Sequence, residues 1–125
     1  MDQMRFADSG ANGGSGLLDQ LDVLIRLYEG AIQFLQEAQQ RLQDGREDFS
    51  EPLGRARRII EEFQRTLDVE ACVEVTRHLR DLYAFMIESI DKARATVAAD
   101  PLGPVIHQLG VLLEGWKGAQ PLLDR

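Results

Sequence analysis

The chain is poor in the residues that carry covalent chemistry. It has one cysteine, Cys72, so no disulfide can close within the chain, a pattern that fits a reducing cytosol. Cys72 falls on an apolar stripe, where a thiol reads as a small core residue rather than a nucleophile. No run approaches the roughly 18 apolar residues of a membrane span. The opening MDQMRFADSG lacks the apolar centre of a secretory signal, and neither a span nor a signal is expected. Basic residues are outnumbered, 14 Lys and Arg against 21 Asp and Glu, for a net charge of −7. Nucleic-acid binding needs the opposite balance and is not expected. Nothing alternates with period two, so no strand is predicted, and no repeat of solenoid length is present.

What is there is helical periodicity. At 125 residues the chain is long enough for one domain with a real core. The first helix is predicted from Asp19, as N-cap, to Gln43, where Asp44-Gly45 stops it. The second starts at Asp48 or Ser50, with Pro52 in its first turn. Phe49, Leu53, Ala56, Ile60, Phe63 and Leu67 recur at alternating spacings of four and three along it, which is a packing seam. A third, from about Glu70 to Ala98, carries Cys72, Thr76, Leu79, Tyr83, Met86, Ile90, Ala93 and Val97 as its seam. ADPLGP at 99–104 breaks the chain before a fourth, which ends near Gly118 with Leu102, Ile106, Leu109, Leu113 and Trp116 inward. Short connections make the neighbours antiparallel, so the expected fold is all-α, an antiparallel up-down four-helix bundle over residues 19–119. Residues 1–18, small and polar, are expected as a flexible or loosely docked N-terminal tail, and 120–125 as a C-terminal tail.

Catalytic constellations are absent from this pattern. Glu74 and His78 can pair on one helix face as an ordinary surface couple. A di-iron bundle needs inward Glu-x-x-His motifs, which the apolar seams do not supply. No metal, cofactor or catalytic site is expected. His107 faces outward on the fourth helix, as in histidine phosphotransfer bundles, but lacks the Lys-Gly pair that typically follows that histidine. Arg55, Arg57 and Arg58 form a small basic cluster, read as a solvated face or a patch for an acidic partner.

The first helix is more apolar than a bundle seam requires. Its surplus is the row Val23, Leu27 and Phe34, interrupted by Gly30. Glycine inside a helix costs about 1 kcal/mol relative to alanine, so a notch between large apolar groups suggests either a partner's close approach or tight packing by a neighbouring helix. Ile59, Leu82, Phe85 and Val111 are further apolar residues outside the seams. Together these eight are the expected partner-binding residues. Met4 and Phe6 are candidates to dock the tail on the body as a cap.

LIRLYEGAIQFLQEA at 24–38, LRDLYAFMIESIDKA at 79–93 and LLEGWKGA at 112–119 resemble the flagellar secretion chaperone FliS family. Leu27, Tyr28, Glu29 and Gly30 match its Leu-Tyr-acidic/Asn-Gly run on the first long helix. Leu79, Leu82, Tyr83, Phe85 and Met86 match the Leu-x-x-Leu-Tyr-x-aromatic-Met run on the third, Trp116 the late tryptophan, and TLD at 66–68 the end of the second helix. Asp19-Gln20 stands where the family has Ser-Pro, and Phe6 is the tail's one aromatic residue. The resemblance implies a cytosolic, non-enzymatic bundle that binds the disordered C-terminal segment of flagellin. It further implies that the segment wraps the chaperone in extended and helical pieces, is kept from polymerising early, and is delivered to the type III export gate at the membrane. The tail would then cover the client site. A helical adaptor for a different export client is the alternative, with a phosphotransfer bundle behind it.

Overall fold

The computed structural model describes residues 15–67 and 73–123. Four helices make up the described fold: α1 (Ser15–Gln43), α2 (Ser50–Arg65), α3 (Val73–Thr96) and α4 (Leu102–Leu123). They form a ring in which α1 packs on α2 and α4, and α3 packs on the same two. The diagonal pairs share no backbone contact. Cross-helix partners run in opposite senses, Asp22 with Gln120 and Glu29 with Lys117, so neighbours are antiparallel as expected. No helix among the described residues is long and apolar enough to cross a membrane.

The core follows from the seams. Leu21, Ile25, Tyr28, Ala31, Leu35 and Ala38 line the inner side of α1 at helical spacing, and every one is buried. On α2, Leu53, Ala56, Ile60 and Phe63 are buried, with Phe49 just before the helix. Phe49 serves as N-cap without a side-chain hydrogen bond, and its carbonyl accepts from the Leu53 N–H at 3.2 Å. Arg57 joins α2 to α3 through a two-pronged bond to Asp91, at 2.8 and 2.9 Å. Both side chains are partly exposed, so this clamp contributes at most about 1 kcal/mol.

Helix ends are where the chain departs from the seam pattern. α1 stops as expected: Gly45 has φ +73°, Arg46 N–H reaches the Arg41 carbonyl and Gly45 N–H that of Leu42. This is a Schellman turn with glycine in the left-handed position. α3 stops by the same turn, Ala98 N–H to the Ala93 carbonyl, but its left-handed residue is Val97 at φ 50°. Val97 was expected on the α3 seam; the turn swings it out instead, and it is 62% exposed. α1 begins at Ser15, so Asp19 lies inside the helix and is not its cap. α4 runs past Gly118 to Leu123, beyond the expected end. Gln120 bonds Asp22 of α1 at 2.7 Å and Ala119 packs on the core, which holds these last turns down. Pro121 sits so near the end that it removes one helical bond and breaks nothing further. Val105, absent from the expected seam, is fully buried, while Ile106 and Trp116 are half-buried. Cys72, Met4 and Phe6 lie outside the described residues.

Candidate functional site

Each helix contributes one aromatic ring to a central cluster. Tyr28 of α1 stacks on Phe63 of α2 at 4.5 Å between centroids, and Phe63 meets Tyr83 of α3 at 5.5 Å. Trp116 of α4 stands edge-on to Tyr28 at 6.3 Å. The Tyr28 and Tyr83 hydroxyls hydrogen-bond to each other in the interior. Burial pushes both phenols above their ordinary value near 10. The Trp116 Nε1 is buried and completes no hydrogen bond of good geometry among the described residues. It lies near enough to the Tyr28 hydroxyl to offset a little of that rise.

Beside this cluster α3 and α4 part. They share the thinnest seam of the ring, and away from their connecting turn an open cleft of about 770 Å³ lies between them. Leu79, Leu112 and Trp116 are its half-buried walls. Val75 and Val111 form its lips and are 56% and 53% exposed. Gly115 adds a stretch of α4 where a methyl would meet nothing within 4 Å, so a partner backbone can come close. Glu74, Arg77, His78 and Asp81 rim the α3 side. Glu74 and His78, able to pair by their spacing, form no ion pair here. A long, open, apolar trough with a charged rim suits a helical or extended chain segment. The described residues contain no cluster of three metal-ligating side chains.

The residues expected to bind a partner divide between two opposite sides of the ring. Gly30 of α1 faces Ile59 of α2, whose Cδ1 lies 3.9 Å from where a glycine-replacing methyl would stand. No neighbouring backbone comes within 4 Å of that point, so tight helix packing does not require the glycine. Phe34, one turn on, lies under the guanidinium of Arg55 of α2, 5.7 Å from its ring centroid. Leu27, Phe34 and Ile59 are half-buried and packed on the core, and Val23 is half-buried. Val111 lies across the ring, in the cleft. Leu82 and Phe85 follow one heptad after Val75 and His78 of the cleft wall and continue its strip along α3. Leu82 is half-buried and Phe85 is 43% exposed.

Sequence reasoning missed Val75, Leu112, Gly115 and Ala119 as lining, and placed Leu79 and Trp116 on core seams. The usable signal was the heptad from Val75 to Leu82, a second apolar stripe beside the seam. Among the described large apolar residues, those left exposed are Val75, Phe85, Val97 and Val111, all on α3, α4 or the turn between them.

In comparison with known proteins, no curated protein matches the chain. The family model described as "Flagellar protein FliS" matches residues 14–122, nearly the whole chain and all four helices. This match places the chain in the FliS family of flagellar export chaperones, which are not enzymes.

Proposed function

We propose that the chain is a cytosolic chaperone for the C-terminal segment of flagellin, with the α3–α4 cleft as the principal seat. The segment is disordered when free and folds as it binds, so that apolar contact offsets its ordering cost. Held in this way it cannot polymerise early, and the complex is delivered to the type III export gate. The supporting observation is the cleft itself, about 770 Å³ between Val75, Leu79, Val111, Leu112 and Trp116, on the side that carries the exposed apolar residues. A client that wraps the bundle reaches Leu82 and Phe85 along α3, and crosses to Val23, Leu27, Gly30, Phe34 and Ile59 on the far side.

We further propose the N-terminal tail, with Met4 and Phe6, as a cap over the client site before the client arrives; both residues lie outside the described ones. α1 starts at the end of the bundle where α4 finishes, as the Asp22–Gln120 bond shows, and that is the cleft's end. The test is an isotope-labelled titration with the flagellin segment. Amide shifts are expected at 75–85 and 111–119, and removal of residues 1–14 is expected to tighten binding. Shifts elsewhere, or no gain on removing the tail, count against the seat and the cap respectively.

A further inference from the structure

Across the ring from the cleft, the groove between α1 and α2 has a different chemistry. Its floor is apolar, Leu27, Phe34 and Ile59 around the Gly30 notch. Its α2 rim carries Arg55 and Arg58, with Glu51 and Glu62 on the same stripe, each of these acids held by an arginine. Arg55 lies over the Phe34 ring and is tethered by Nη2 to Glu51 at 3.1 Å. Both members of that ion pair are more than half exposed, so the tether is weak and screened. Next to it a recess of about 210 Å³ opens between Phe34, Glu37, Arg41, Glu51, Pro52 and Arg55. Arg58, one turn along α2, is exposed and has no ion pair among the described residues; the neighbouring Glu62 is bound to Arg65. Glu37 is likewise taken, by Arg41.

An apolar partner entering this groove would lift Arg55 from Phe34 and leave Arg55 only its weak Glu51 tether and Arg58 without ion-pair partners among the described residues. A partner with carboxylates supplies them, and forked arginine–carboxylate bonds are the stronger kind. We infer that the α1–α2 groove receives an acidic amphipathic helix. It seats an apolar side chain in the Gly30 notch and sets carboxylates one turn apart against Arg55 and Arg58, drawing Arg55 off Phe34. This deepens the chaperone reading by giving the chemistry of a second docking piece, and rests on that reading only for which protein supplies the helix.

The experiment uses the full chain and two synthetic amphipathic peptides, identical except that one carries glutamate pairs at i, i+3 and the other lysine pairs. The acidic peptide is expected to shift the amides of Gly30, Phe34, Arg55, Arg58 and Ile59 saturably. The lysine twin is expected to leave them in place. Arg55→Glu with Arg58→Glu is expected to weaken the acidic peptide roughly tenfold, with Arg55→Gln intermediate, and added salt to weaken it further. Both positions are exposed, and circular dichroism checks that the fold is kept. Equal binding of the twins, no binding of the acidic one, shifts gathered in the α3–α4 cleft, or indifference to charge reversal would each overturn the inference. The client reading is decided separately. Val111→Asp acts in the cleft, so loss of flagellin-segment binding there with these groove shifts intact separates the two.

Discussion

The hydroxyls of Tyr28 and Tyr83 hydrogen-bond to each other in the interior, joining two helices that are diagonal in the ring and touch nowhere else along their backbones. Tyr28 is wholly buried and Tyr83 nearly so. The Tyr83 hydroxyl depends on that of Tyr28, which also has Trp116 Nε1 nearby. The bond also fixes the height of α1 against α3, and Phe63 and Trp116 are packed around it.

Removing one hydroxyl therefore costs more than removing both. Tyr28→Phe or Tyr83→Phe leaves a buried hydroxyl without its partner and is expected to lose about 1–3 kcal/mol. The double variant is expected to recover a substantial part of that loss, which a urea-denaturation double-mutant cycle measures. Additive losses would mean that the two hydroxyls do not depend on each other.

The same pair sets the alkaline limit. Burial holds both folded-state phenols above the ordinary value near 10, to which they return on unfolding. Their contribution is fully present below that value and is lost as pH rises above it, because only the unfolded chain then releases the protons. Stability is expected to stay level through neutral pH and fall from about pH 10. Tyrosinate absorbance should rise together with loss of helix, not before it. Asp91, held below the usual carboxylate range first by its bond to Arg57, acts at the other limit. Its small contribution is present above the ordinary value and fades as pH falls through the lower folded one.

Val97 is a local conflict in the fold. A β-branched residue at φ 50° sits where the turn ending α3 favours glycine, and its side chain is mostly in solvent. Val97→Gly loses little packing and relieves the left-handed cost, for an expected gain of about 1 kcal/mol. That corresponds to a rise of roughly 3–5 °C in Tm by calorimetry. An unchanged or lower Tm would show that the side chain contributes something its exposure hides.

Gly30 is tested in two steps. A methyl there meets Ile59 Cδ1 at 3.9 Å, ordinary contact, so Gly30→Ala is expected to stabilise α1 by up to about 1 kcal/mol. Gly30→Leu is expected to fill the notch and block the acidic peptide while helicity is kept. Unfolding of either variant would return the glycine to the interior packing of the bundle.

The helices were legible because seams such as Phe49–Leu53–Ala56–Ile60–Phe63 repeat a helical period and tertiary packing agrees with it. The far end of α4 was not, because Gly118 reads as the helix end. Its last turns are held by Ala119 on the core and Gln120 on Asp22, contacts that no local rule contains. The candidate site was half legible. Helical wheels identified Gly30, Phe34, Phe85 and Val111 as apolar residues beside the seams, but a wheel describes one helix. It cannot show that Val111 faces a gap between α3 and α4, that Phe34 lies under Arg55 of another helix, or that the two lie on opposite sides of the ring. Tyr28 and Tyr83 stood in the sequence as motif residues; their meeting depends on all four helices.

Everything proposed for the client turns on whether its C-terminal segment sits in the α3–α4 cleft. Calorimetric titration of that segment into the chain, and into Val111→Asp, tests it most directly. Val111 is 53% exposed on the cleft's lip, so the substitution leaves the core untouched. The account predicts a saturable, near one-to-one isotherm with a negative heat-capacity change for the chain, and at least roughly tenfold weaker binding for the variant at unchanged helicity. Equal binding by both, or none by the chain even after removal of residues 1–14, would contradict it.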